Sequence, residues 1–102
     1  MAVAFINPCG INLPHTHPRA TEIIYVVSGT FEVGFFQENG ARFISNTVTA
    51  GEGTIFPQGS IHFQQNLNCT SALFVAAFNS ADPGVQTVAN SFYGGLPADI
   101  VK

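Results

Sequence analysis

Apolar positions recur along this chain in short runs rich in β-branched and aromatic residues, cut by Gly, Pro and Asn, and no stretch sustains a helical period. The pattern predicts an all-β chain. Residues 2 to 6 make the first expected strand, followed by a turn at Asn7-Pro8-Cys9-Gly10 and a strand ending in His15 and His17. Glu22 opens the next strand, and from Ile23 to Val27 both faces are apolar. That predicts burial on both sides, in a sandwich interior or a dimer contact. After a turn at Ser28-Gly29-Thr30, the strand Thr30 to Gln37 pairs with Arg42 to Thr49 through Asn39-Gly40, residues that tolerate a tight hairpin turn. Gly51-Glu52-Gly53 and Pro57-Gln58-Gly59 are turns around the short strand Thr54 to Phe56, and Ile61 to Asn66 is the next strand. The apolar run Ser71 to Phe78 reads as a core strand, Val85 to Tyr93 as an edge strand, and Leu96 to Lys102 as the start of a helix. Short strands at this spacing suggest a sandwich or small barrel.

Composition adds a statement about the surface. The 102 residues suit one domain, 1–102, with 46% apolar residues but only 9% charged, against about 25% charged in ordinary soluble domains. A surface so poor in charge is expected to be covered by a second subunit, with a homodimer favoured. No apolar run approaches the ~20 residues that span a bilayer, so no membrane partner is expected. The formal net charge of -3 and the lack of a Lys/Arg cluster count against nucleic acid. No signal peptide opens the sequence, which reads as cytoplasmic as written. Asn68-Cys69-Thr70 is a glycosylation sequon that matters if the chain is a piece of a secreted, extracellular protein. Cys9 and Cys69 do not fix the redox compartment.

The candidate chemistry centres on His15-Thr16-His17 and Glu22. Residues two apart on a strand share a face, so His15 and His17 can present both imidazoles to one ion. Glu22 lies at an odd offset from them, which requires a bend, and Pro18 supplies the break. The third histidine, His62, lies in Gly51-x5-Pro57-x-Gly59-x2-His62-x3-Asn66. Taken singly, each histidine would more often be a packed or surface residue than a ligand. Together they carry a resemblance. From about Phe5 to Tyr93 the sequence resembles the cupin superfamily, and within it the germin-like and spherulin-like group. The motif G-x5-HxH-x4-E-x6-G is matched from His15 to Gly29 except at its opening glycine, where Cys9 stands. Cys9 is expected to be a buried, inert thiol.

The resemblance implies a small cupin β-barrel (a double-stranded β-helix, or jelly roll), shortened at both ends relative to germins. It also implies one divalent transition metal per chain, held by His15, His17, Glu22 and His62 and commonly manganese. Three imidazoles and a carboxylate also suit iron, zinc or nickel, and open octahedral positions favour manganese or iron. Asn12 falls where oxalate oxidases carry a pocket asparagine and is the candidate catalytic residue, a hydrogen-bond donor to a metal-bound carboxylate or peroxide. Ala2 stands where those enzymes carry a second. The expected function is an oxidoreductase acting on a small oxygen-rich or carboxylate substrate, of the oxalate oxidase or superoxide dismutase kind. The alternatives are a non-redox lyase, isomerase or cyclase using the ion as a Lewis acid, and a non-catalytic binding or storage role.

Overall fold

The computed structural model describes residues 1–101. Nine strands and two short helices follow in order among these residues: β1 Ala2–Ile6, β2 Ile11–Thr16, β3 Glu22–Ser28, β4 Thr30–Phe36, β5 Ile44–Thr49, β6 Gly53–Phe56, β7 Ile61–Asn66, β8 Ala72–Phe78, β9 Gln86–Thr87, α1 Val88–Gly94 and α2 Ala98–Val101. They form two antiparallel sheets, one in the order β1-β8-β3-β6 and the other in the order β5-β4-β7-β2-β9. The sheets face each other as a jelly roll.

Alternation along the strands places the core between the sheets. Ile24 and Val26 of β3, Phe56 of β6 and Ala72, Phe74 and Ala76 of β8 meet Phe31 and Val33 of β4 and Val48 of β5. Phe31 and Phe74 pack edge to face with ring centroids 5.3 Å apart, and each fully buried Phe contributes about 2 to 3 kcal/mol. Neither β2 nor β7 supplies a residue to this cluster among the described residues. The buried row of β7 is instead polar: His62, Gln64 and Asn66. One end of the sandwich is therefore apolar, and the β2–β7 region is left for chemistry.

Three expectations are corrected. First, of the two readings of β3 the sandwich interior is excluded: within the single chain only one face is buried, since Ile23, Tyr25 and Val27 stay about half exposed. Its neighbours β8 and β6 lie in the same sheet, and among the described residues no element covers the outward side. Second, Val85 to Tyr93 is a strand only at Gln86–Thr87, after which α1 begins. Val88, Phe92 and Leu96 recur every four residues, a helical spacing, and all three line a cleft with Thr16 and Ile61. Third, Cys9 is exposed, and its φ of 57° lies in the left-handed region. That conformation explains why the cupin motif has glycine here, and a side chain at this φ costs about 1 kcal/mol. The expected helix start at Leu96 to Lys102 is met by α2, with Lys102 outside the described residues.

Candidate metal centre

Both sheets deliver side chains to one point. His15 on β2 and His62 on β7 are direct cross-strand partners, and Glu22 opens β3 on the opposite sheet, flanked by Phe56 and Phe78. His17 lies one residue beyond β2, in the turn made by Pro18. The carbonyl of His17 accepts the Gly59 N–H at 3.1 Å, which ties that turn to the Pro57–Gly59 turn. Between Asn12 and His15 the register of β2 shifts: β2 takes three steps while β7 takes two, from Gln64 to His62. Such a bulge lets residues an odd distance apart face the same side. Pro14, which has no N–H to give the ladder, falls within it.

The ring nitrogens are sorted by the backbone. His15 Nδ1 lies 2.6 Å from the Leu13 carbonyl oxygen, His17 Nδ1 2.6 Å from that of Gly84, and His62 Nδ1 3.1 Å from that of Ser60. A carbonyl only accepts, so each Nδ1 carries the hydrogen and donates it. Each Nε2 is left with its lone pair for another partner. Two of these nitrogens meet one carboxylate oxygen: His17 Nε2 and His62 Nε2 lie 3.2 and 3.0 Å from Glu22 Oε1. Four ligand atoms, one from each of His15, His17, Glu22 and His62, lie within 4.8 Å of one another. Neutral imidazole lone pairs facing a carboxylate repel unless a cation stands between them, so this donor set fits a metal ion. An ion bonded at about 2.1 Å holds its ligand atoms about 3 to 4 Å apart, which agrees with the convergence seen here. Phe56 stacks on the His62 ring at 4.4 Å, and Phe78 packs edge-on against His17 at 4.8 Å. Both aromatic contacts fix ring orientation.

Titration behaviour follows from the same contacts. In the metal-free protein a proton on Nε2 takes the place of the cation: burial alone would raise the Glu22 carboxyl, but hydrogen bonds from His17 and His62 and their charge outweigh it and hold the carboxyl at about 2. Burial pushes His15 down from the ordinary imidazole value, with the neighbouring imidazoles adding to the effect against the Leu13 hydrogen bond. His17 is also partly desolvated, yet its bonds to Glu22 and Gly84 carry it upward. A depressed carboxylate stabilises the fold above its unfolded value and loses that contribution as the pH falls through its folded value. Metal-free protein is therefore expected to lose about 3 kcal/mol of stability from Glu22 between pH 4.5 and about 2. Urea unfolding at a series of pH values measures it, and an equally flat profile in wild type and Glu22→Gln would refute it.

A cavity of about 180 Å³ opens beside the cluster, lined by His15, His17, Glu22 and Asn12 with Ala2, Ala4, Phe74, Ala76, Phe78, Val85 and Thr87. It is smaller than the ~300 Å³ at which drug-sized pockets begin. A larger cleft of about 370 Å³ under α1 has no ionisable side chain in its lining. The structure thus brings all five candidate residues to one place, with Ala2 beside Asn12. Sequence reading missed Gln64, whose Oε1 accepts the Asn12 Nδ2–H at 2.8 Å. Gln64 is fully buried, and its own Nε2 has no partner among the described residues. Its place two residues after His62, on the same strand face, was the available signal.

The family model described as Cupin matches residues 1–102. The chain belongs to the cupin family. This cupin is 66% identical over 101 residues to Spherulin-1A of Physarum polycephalum, covering 99% of the chain and 41% of that protein. It is 50% identical over 90 residues to Germin-like protein 1-1 of Oryza sativa subsp. japonica, covering 88% of the chain and 41% of the relative. Among solved structures, oxalate oxidase in complex with the substrate analogue glycolate superposes with a TM-score of 0.91 at 38% identity, over 97% of this chain and 52% of that one. The cupin spans less than half the length of the curated relatives it matches. No helix among its described residues is long and apolar enough to cross a membrane.

Proposed function

We propose that this cupin binds one divalent transition metal through His15, His17, Glu22 and His62, with manganese favoured over iron, zinc or nickel, and acts as an oxidoreductase on a small carboxylate or other oxygen-rich substrate. The observation that carries the reading is the sorting of the three imidazoles. Every Nδ1 is committed to a backbone carbonyl, and the Nε2 lone pairs converge with a buried carboxylate beside a small cavity. The bound ion would supply a positive charge for an anionic substrate and one-electron chemistry. The protein's part is to position and to exclude water. Asn12 has two amide hydrogens; one is held by Gln64, and the other is free to meet a substrate oxygen. Phe74, Phe78, Ala76 and Val85 keep the far wall apolar. The likeness to an oxalate oxidase crystallised with glycolate supports a small carboxylate as the substrate class.

Elemental analysis and electron paramagnetic resonance of protein purified without added metal test the reading, followed by oxygen-consumption assays with oxalate and glycolate. About one manganese or iron per chain with oxygen uptake is the expected result. Zinc or nickel without redox turnover would overturn the oxidoreductase and leave Lewis-acid chemistry; no metal at all would leave a binding role.

A second copy of the chain is the partner we propose for the outward face of the β1-β8-β3-β6 sheet. Val3 pairs with Val75 and Val75 with Tyr25 across that sheet, and Ile55 pairs with Ile23 and Ile23 with Ala77. These rows make one continuous apolar surface with Phe5 at its edge, and an exposed apolar surface of this kind can meet its own copy about a two-fold axis.

A further inference from the structure

Away from the metal centre the fold brings together a second pair of reactive groups. Cys9 and Cys69 are both exposed, and their Sγ atoms lie 4.0 Å apart although 60 positions separate them in sequence. The backbone on each side is fixed. Cys9 N–H donates to the Asn68 carbonyl at 2.9 Å, Gly10 N–H to Asn7 at 2.8 Å, and Asn66 N–H to Gly10 at 2.8 Å. Beneath the pair, the buried Asn66 side chain lies across both loops. Its Nδ2 reaches the carbonyls of Ile6, Asn7 and Thr70 at 3.2, 3.0 and 2.8 Å, and its Oδ1 accepts the Asn68 N–H at 2.9 Å. The two sulfurs are therefore presented to each other by a braced framework, on the solvent side, where a small reagent can reach them.

We propose that Cys9 and Cys69 form a reversible intramolecular disulfide by exchange with a small-molecule disulfide, stapling the β1–β2 turn to the β7–β8 loop. A disulfide needs its sulfurs about 2.05 Å apart, so an approach of about 2 Å is required. Rotation about Cα–Cβ in two exposed side chains can supply it. One cysteine loses its proton and attacks the small disulfide, forming a mixed disulfide and releasing one small thiol. The second cysteine, deprotonated in turn, attacks the protein-side sulfur and displaces the other small thiol. Two protons and two electrons leave the protein, and one disulfide is reduced to two thiols. The hydrogen bond and charge of Cys69 hold the Cys9 thiol above its ordinary range. The staple would close the end of the β2–β7 ladder opposite to His15 and His62.

The full chain, with its metal content held constant, is equilibrated against mixtures of reduced and oxidised glutathione, alkylated and weighed by mass spectrometry. Both thiols are expected to disappear together, with the mass lower by two hydrogens and no glutathione retained. Closing a 60-residue separation should raise the Tm by about 10 °C or more, reversibly on reduction. Cys9→Ser and Cys69→Ser, both at exposed positions, should fold and show no such rise. Stable glutathione adducts, covalent dimers, or thiols still free in fully oxidised glutathione would overturn the disulfide. A cross-linked chain with an unchanged Tm would overturn the staple.

Discussion

Glu22→Gln is expected to weaken Mn²⁺ binding by at least about 100-fold while leaving the jelly roll folded. The substitution keeps the shape of the side chain but removes the only carboxylate of the cluster. Loss of an outer partner of a metal site costs about 10- to 100-fold in affinity, and loss of a charged donor should cost at least that. Glutamine also offers at most one carbonyl oxygen, and its new N–H₂ group would face imidazole nitrogens now placed 3.0 and 3.2 Å from Glu22 Oε1. The fold should persist, because the apolar core draws on Ile24, Phe31, Phe74 and their neighbours and not on the site. Isothermal titration with Mn²⁺ gives the affinity, and circular dichroism checks the fold. Binding within about threefold of wild type would remove Glu22 from the ligand set.

The second large effect concerns assembly. Tyr25 stands in the middle of the outward row Val3–Val75–Tyr25 and is half exposed. Tyr25→Asp should turn a dimer into a monomer, weakening self-association by about 100-fold or more, since a charge would be stripped of water against an apolar surface. Ile55→Asp, on the neighbouring row, should behave alike. Asn46→Asp, at an exposed position on β5 of the other sheet, adds the same charge elsewhere and should leave the dimer intact. Sedimentation velocity between about 1 and 100 µM separates the cases by the ordinary range of such affinities. A wild-type chain that stays monomeric throughout, or a Tyr25→Asp chain that still dimerises, would refute the interface.

Much of the candidate site was legible because its candidate ligands are side chains at fixed spacing. His15, His17, Glu22 and His62 could be named from the sequence, and so could the break at Pro18. What orients them was not legible. The three Nδ1 acceptors are backbone carbonyls of Leu13, Gly84 and Ser60, and a carbonyl leaves no mark on residue type. Gly84 is also 67 positions from His17, so only the folded chain joins them. The bulge that turns both Asn12 and His15 inward is a register shift against β7, a property of two strands and not of either alone. Residues 85 to 93 misled because Val85-Gln86-Thr87-Val88 alternates like a strand, while Val88, Ser91 and Phe92 lie on one side of α1 and line the cleft with Thr16 and Ile61. The cover of the second face of β3 was not legible for a simpler reason: an apolar residue reads the same whether its cover comes from its own chain or from another.

The polar inner row of β7 has a consequence for how the strands find their alignment. A slip of one residue would turn His62, Gln64 and Asn66 outward and bring Ile61, Phe63 and Gln65 in, an exchange that burial of apolar area does not penalise. A slip of two keeps the same row facing inward. It would set Gln64 opposite His15 and keep polar groups inside, so solvent exclusion hardly distinguishes it from the native pairing. Discrimination then falls to features that do not survive the slip: the reach of Asn66 to three loop carbonyls at one end, and an imidazole beside Glu22 at the other. In this sandwich the chemistry at both ends of β7 specifies its register, a task that apolar side chains perform in most strands.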